Sequence, residues 1–271
     1  MSKKGKKILV SFFVILFLIA LIIGSNIFIG NQDVQRVDMK ISYGKSDTII
    51  LPQQINSSLN NVFDNFLKLK RKEVDIRKIE AFLLSKPYVQ KAQVYQTLKG
   101  VLNIEITQRE PILRINTLKG LQYYVDNHGK IIPITNFEST DVIIANGNVD
   151  ILANVSKTLQ LDTNNIEQKK GYDKTLSKLY LIAQKISNDT ILNYQIDQLF
   201  VTNEKDIELI PKIGNYIIRI GDVNEIDEEL TKLKYLYKEG FSRNGWDNYS
   251  IVDLRFRNQA VCTKKDVMNV Q

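Results

Sequence analysis

The stretch KKGKKILVSFFVILFLIALIIGSNIFI, Lys3 to Ile29, decides how the rest of this 271-residue chain is read. Four lysines (Lys3, Lys4, Lys6, Lys7) precede an apolar run from Ile8 to Ile23 broken by Ser11, and no charge returns until Asp33. Counted through Ile29, about 22 residues rising about 1.5 Å each reach about 33 Å as a helix, enough for a hydrocarbon core of about 30 Å. The spacing predicts a transmembrane helix over 8–29. Lysine clusters stay on the cytoplasmic side, while the far flank (Asp33, Arg36, Asp38, Lys40) is balanced in sign. Residues 1–7 are therefore expected to be a cytoplasmic tail, and the body of the chain to lie outside the cytoplasm. A cleaved signal peptide competes for the same residues, with Gly24 and Ser25 near its cut. The apolar run, however, exceeds the roughly 7 to 15 residues of a signal core, and Ile23 fits poorly at the minus-three position.

Roughly 240 residues remain after the anchor, room for one large domain or two smaller ones, and two is the preferred division. The formal net charge is +7, and removing the four N-terminal lysines leaves +3 on the remainder. So small a surplus, spread among mixed charges, makes no electrostatic case for nucleic acid, which is bound by a clustered basic face. With one cysteine, Cys262, and one histidine, His128, no intrachain disulfide, Cys/His zinc site or paired-thiol redox centre is possible. No metal and no cofactor are expected.

In chain order, Val37, Met39 and Ile41 alternate with polar residues between Val34 and Tyr43, the pattern of a half-buried strand. Pro52 opens a helical pattern, with Ile55, Leu59, Val62, Phe63 and Phe66 on one face. A Lys/Arg-rich loop (Lys68 to Lys72) leads to Asp75, an N-cap for a second helix with Ile76, Ile79, Phe82 and Leu83 facing inward, stopped by Pro87. Strands over Val89–Gln96 and Val101–Gln108 form a hairpin about Thr97-Leu98-Lys99-Gly100, in which Leu102, Ile104 and Ile106 point to the core. The order βααββ is complete by Arg109-Glu110-Pro111, where proline marks a break.

An anchor with lysines inside, a βααββ unit ending in Ile106-Thr107-Gln108-Arg109-Glu110-Pro111, and then Tyr123-Tyr124-Val125-Asp126 with Gly129 resembles the bacterial cell-division family FtsQ/DivIB. The βααββ unit is similar to that family's POTRA domain. Tyr124 stands where the family typically has Leu, and the Gln108-Arg109-Glu110 order also departs from it; both changes keep the hydrophobic pattern.

Beyond this point strands are predicted at Ile112–Ile115, Leu121–Val125 and Ile131–Ile134, with a turn at Asn146-Gly147 after Val142–Ala145. Val149 to Lys170 is polar and carries no clear pattern. Leu176, Leu179, Tyr180, Ala183 and Ile186 mark a helix face, followed by strands at Tyr194–Val201, Ile207–Ile210 and Tyr216–Ile220 joined by turn residues suited to antiparallel pairing. Ile226, Leu230, Leu233 and Tyr237 signal a last helix ended by Gly240. Ile251-Val252-Asp253-Leu254-Arg255-Phe256 and Gln259-Ala260-Val261-Cys262 are the closing strands, and the first of these is a second point of similarity to FtsQ. The fold class is α+β: one N-terminal transmembrane helix, a βααββ POTRA-like domain (34–110), then a larger, mostly antiparallel sheet domain with helices (111–265) and a tail (266–271).

Candidate chemistry is sparse. Ser42-Tyr43-Gly44-Lys45 has Ser-x-x-Lys spacing but runs from a strand into a glycine, so the lysine does not share a helical turn with the hydroxyl. His128, in Asp126-Asn127-His128-Gly129, is assigned to an exposed hairpin turn. Glu228 and Glu229 adjoin on the last helix and are assigned to its solvated face, and Asp206 and Glu208 flank a turn. Gly214 and Gly221 bracket a strand rather than cradling a phosphate. No catalytic residue is expected.

A final strand leaves N–H and C=O groups unpaired along one side and invites strand addition by a partner. Phe256 to Cys262 is that candidate. The resemblance implies that this end recruits FtsB/FtsL-type coiled-coil membrane proteins by strand pairing, with Phe256, Asn258, Gln259, Ala260, Val261 and Cys262 lining or flanking the contact; Asn258-Gln259 stand where the family carries small residues. The expected function is a non-catalytic single-pass scaffold of the division machinery at the septum, with most of the chain extracytoplasmic. An envelope chaperone module built on the same POTRA-like unit, or an anchored extracytoplasmic enzyme, are the alternatives. Neither a second βααββ copy nor a series of barrel-length strands is visible.

Overall fold

A computed structural model describes residues 3–44, 48–63, 65–134, 140–149, 174–221, 223–241 and 245–265. All but the first residue of the unpatterned Val149–Lys170 segment lies outside these residues, as does the tail 266–271. The chain divides into two compact units, one formed by Met1–Gly44 and Ile50–Gln108, the other by Lys45–Ile49 and Arg109–Gln271.

The smaller unit begins with helix α1 (Lys3–Gly30), in which Ser11–Gly30 is long and apolar enough to cross a membrane and is not buried against any other part of the protein. A helix apolar on every side and, up to its last turn, uncovered among the described residues matches a lipid-exposed span. It fits a single-pass membrane protein. Next come β1 (Arg36–Ser42), α2 (Pro52–Asn60), α3 (Ile76–Leu84), β2 (Val89–Gln96) and β3 (Val101–Gln108). The sheet order is β1-β3-β2, with β1 parallel to β3 from Arg36↔Val101 to Ser42↔Thr107, and β2 antiparallel to β3. Alternation along β3 buries Leu102, Ile104 and Ile106 in one cluster with Ile55 and Leu59 of α2 and Ile79 and Leu83 of α3. Asp75 caps α3 as expected, its Oδ1 accepting from the Lys78 N–H at 3.1 Å.

Two features differ from the sequence expectation. Helix α2 stops at Asn60 because Asn60 and Asn61 are poor helix formers, and Phe66 enters the core instead from a 3₁₀ turn whose Leu67 N–H is capped by Asn65 Oδ1 at 3.0 Å. The Lys68–Lys72 loop also hides a buried residue. Arg71 donates to the carbonyls of Thr97 (2.7 Å) and Leu98 (3.1 Å) and to Gln96 Oε1 (3.3 Å), tying the loop to the β2–β3 hairpin.

The larger unit contains β4 (Pro111–Asn116), β5 (Gln122–Asp126), β6 (Ile131–Pro133), β7 (Ile143–Gly147), α4 (Lys174–Ser187), α5 (Leu192–Gln195), β8 (Ile196–Val201), β9 (Ile207–Pro211), β10 (Ile217–Arg219), α6 (Ile226–Tyr235), β11 (Tyr249–Asp253) and β12 (Val261–Lys264). A π turn, Leu236–Gly240, prolongs α6. The described strands form one nine-stranded sheet, β12-β11-β10-β9-β8-β7-β4-β5-β6. Its core joins the predicted α4 face (Leu176, Leu179, Tyr180, Ala183, Ile186) and the α6 face (Ile226, Leu230, Leu233) to sheet residues such as Leu113, Leu199, Leu209, Ile218 and Val252. The Asn146-Gly147 turn is not formed: both residues end β7 and pair with Phe200 and Val201 of β8. Gly147 is required by its φ of +87° and by a backbone approach that would set a Cβ 2.3 Å from the Val201 carbonyl oxygen.

Pro111 opens β4 rather than ending a sheet, and the two residues before it are locked to the β5–β6 turn. Arg109 Nη1 meets Asp126 Oδ2 at 2.8 Å with the Asp126 side chain fully buried, while the other carboxylate oxygen accepts from the His128 (2.9 Å) and Lys130 (2.7 Å) amides. Asn127 donates its N–H to the Glu110 carbonyl at 2.9 Å and accepts on its own carbonyl from Tyr180 Oη at 3.0 Å, which brings α4 into the same network. Removing one partner of a buried ion pair strands the other, at a cost of about 3–5 kcal/mol. Arg109→Ala should therefore lower the stability of the larger unit by about that amount, measured as a shift of the urea midpoint followed by the fluorescence of Trp246, the chain's single tryptophan.

Candidate functional site at the sheet edge

The end of the sheet is built by α6 as much as by the strands. Strand β11 lies parallel to β10 (Ile217↔Ile251 to Arg219↔Asp253) and antiparallel to β12 (Val252↔Cys262, Asp253↔Val261). Against Tyr249, the first residue of β11, Tyr216, Tyr237, Phe241 and Trp246 pack ring on ring, with Phe241 5.2 Å from both Tyr216 and Trp246 by ring centroids. Burial pushes the Tyr237 phenol far above its ordinary pKa, so it stays neutral.

The Val252-Asp253-Leu254-Arg255-Phe256 string acts through its backbone turn. Asp253 accepts from the Arg255 guanidinium, Nε to Oδ1 at 2.9 Å, and from the Arg255 amide at 3.1 Å, and this pairing holds its carboxyl below the usual carboxylate range. Lys232 of α6 places its ammonium on the carbonyls of Leu254 (2.6 Å) and Phe256 (2.8 Å), and Glu228 Oε1 accepts from the Asn258 amide at 3.3 Å. The chain turns over Phe256–Gln259, closed by the Gln259 N–H on the Phe256 carbonyl at 3.3 Å. Asn258 sits at φ +60°, a conformation asparagine tolerates better than most residues. That gives a physical reason for a polar residue at this place.

The six residues expected to line the contact divide accordingly. Phe256, Asn258 and Gln259 lie in the exposed turn, Ala260 leads out of it, and Val261 and Cys262 begin β12. The closing strand thus starts two residues later than Gln259 and runs on to Lys264, because the turn consumes the residues between. Val261 and Phe256 are exposed, whereas Cys262 points partly inward against the core and burial pushes its thiol pKa up, away from the reactive thiolate. Among the described residues no strand pairs the outer side of β12. The edge is four residues of backbone with an aliphatic side chain at one end.

Elsewhere, Ser42 ends β1 and Lys45 lies outside the described residues. His128 is exposed in the turn between β5 and β6, as expected. Glu208, beside the β8–β9 turn, pairs with Arg219 at 3.3 Å. Glu229 is a correction. It is buried rather than solvated, and both carboxylate oxygens accept from the Gly221 amide at 3.0 and 3.1 Å. A Cβ at Gly221 would lie 2.9 Å from Glu229 Oε1, so any side chain there would shift the carboxylate. The sequence signal was present, since Glu229 stands three residues after Ile226 and four before Leu233, on the inward face of α6. The Lys232 and Glu228 contacts with the turn have no such signal, because they depend on where the chain returns after β11.

A family model described as FtsQ/DivIB, C-terminal related, matches residues 110–263, and one described as POTRA-like domain matches residues 32–107. No curated protein matches the chain.

Burial, its largest influence, pushes the Glu229 carboxyl above its ordinary pKa. A raised folded-state pKa contributes stability that is full below the unfolded value, about 4.3, and is lost as pH rises through the folded value. Asp253 and Asp189, whose pKa values are lowered, contribute in the opposite sense. Glu229→Gln, which keeps an acceptor for the Gly221 amide, should gain stability relative to the parent as pH rises above about 4.3. The check is the difference between the two Trp246-monitored urea midpoints across that range; a difference independent of pH would contradict it.

Proposed function

Because the chain belongs to the FtsQ/DivIB family, matched over more than half its length, and is a division-associated protein carrying a POTRA-like domain, we propose that it is a non-catalytic membrane-anchored scaffold which recruits coiled-coil FtsB/FtsL-type partners to the septum by adding a partner strand to β12. The observation that carries this reading is the exposed β12, paired among the described residues with β11 alone, with Val261 at its start and Phe256 on the turn before it. An edge strand offers N–H and C=O groups to an incoming segment, and neighbouring side chains set its register. The turn clamped by Lys232 and Glu228 delivers β12 in one conformation, which reduces the ordering cost of binding. In this reading Phe256, Asn258, Gln259, Ala260, Val261 and Cys262 line or flank the contact, the four N-terminal lysines stay in the cytoplasm, and the two units lie in the extracytoplasmic space.

Deletion of residues 256–271 should abolish co-purification with the coiled-coil partners while the two units keep their circular dichroism and cooperative unfolding. Undiminished co-purification would remove β12 from the account. Lys232→Ala, which frees the turn without touching β12, should weaken capture by roughly tenfold, the scale of one charge-assisted hydrogen bond. Titration of the partner ectodomain by biolayer interferometry reads that change.

A further inference from the structure

The place where α1 leaves the bilayer is held against a specific part of the smaller unit. The helix ends at Gly30, and two residues later the Gln32 carbonyl accepts from the Arg71 amide at 2.9 Å. The Val34 amide donates to the Leu69 carbonyl at 3.1 Å, the Gln35 amide to the Gly100 carbonyl at 2.9 Å, and Asp33 bridges to Lys70. A Cβ built on Gly30 would touch Lys72 Cβ at 3.5 Å, so the stem of Lys72 is level with the last turn of α1. Arg71, through the Thr97 and Leu98 carbonyls, brings the tip of the β2–β3 hairpin to the same end.

Distances decide where this tip lies. Two residues of chain span at most about 7 Å, and the headgroup layer beyond the hydrocarbon core is about 5–7 Å deep on each side. With α1 in a membrane, residues 70–72 lie within that layer. The side chains exposed there suit it. Among the described residues Lys68, Lys70, Lys72 and Lys99 are exposed and outnumber the exposed carboxylates of Asp33 and Glu73, the latter also accepting from the Lys70 amide at 2.8 Å. Between the lysines Leu98 is 82% exposed and Leu67 is 52% exposed. Apolar side chains ringed by lysine ammoniums match a phospholipid interface, with the stems in the apolar boundary and the charges on phosphate.

We propose that residues 67–72 and the hairpin tip 97–100 form a docking surface for the anionic phospholipid headgroups of the leaflet at the C-terminal end of α1. The surface fixes the tilt of the POTRA-like domain on the membrane, so that the domain does not swing freely about the end of the helix. This inference requires α1 to span a bilayer and is independent of the partner reading of β12. Each lysine at an anionic surface favours the docked state by about fivefold, so replacement of three by glutamate removes most of the preference.

The test uses the full chain in lipid nanodiscs of phosphatidylcholine alone or mixed equally with phosphatidylglycerol, with an environment-sensitive fluorescent amino acid in place of Leu98. Headgroup-nitroxide lipid should quench this probe at least about twofold more in the anionic discs. The combined variant Lys68→Glu, Lys72→Glu and Lys99→Glu should return quenching to the neutral-disc level. About 1 M salt, where the Debye length is about 3 Å, should do the same to the unaltered chain, and this arm stands whether or not the triple variant folds. Equal quenching in both lipids, or quenching indifferent to salt, would overturn the proposal. Elution of the chain apart from the discs would overturn its premise, that α1 is a membrane helix, and can be told apart from the other results by the elution profile alone.

Discussion

A charge removed from water must be met by a partner, and both units of this protein are held by that requirement. In the smaller unit it is Arg71, whose guanidinium is used up on two carbonyls and a glutamine of the β2–β3 hairpin. At the entry to the larger unit it is Asp126, fully buried and met by Arg109 and two amides. At its far end it is Glu229, held against the Gly221 amide beneath the turn that leads to β12. Such groups add little net stability compared with apolar replacements, but leaving one unpaired is costly, and that asymmetry fixes which backbone segments lie side by side.

The same logic explains how a strand of four residues is presented at all. A short edge strand has too few pairings to hold its own geometry, and among the described residues β12 joins the sheet through β11. What precedes it is therefore fixed from outside the sheet, by Lys232 and Glu228 reaching from α6 and by Asp253 closing on Arg255. Helix and edge form one structural element. The aromatic stack of Tyr237, Phe241 and Trp246 continues that element to Tyr249 of β11 and binds α6 to it.

Periodicity made most of this fold legible. The alternation of Leu102, Ile104 and Ile106, the Asp75 cap, the five-residue face of α4 and the apolar helix at the N-terminus all stand in the structure where the residues imply them, because each depends on local geometry alone. The misplaced features depend on tertiary contacts. Asn146-Gly147 has the composition of a turn but is needed as strand where the β8 backbone comes close. Glu229 has the chemistry of a surface residue, and its helical position outweighed that chemistry. At the candidate edge the strand begins later than its residues imply, since Asn258 with its positive φ inserts a turn that no repeat of two or 3.6 can register.

The two rims of the nine-stranded sheet are unequal. Opposite β12 stands β6, three residues long and ending in Pro133, which has no N–H to give. Among the described residues that rim therefore offers an added strand fewer backbone donors than β12 does.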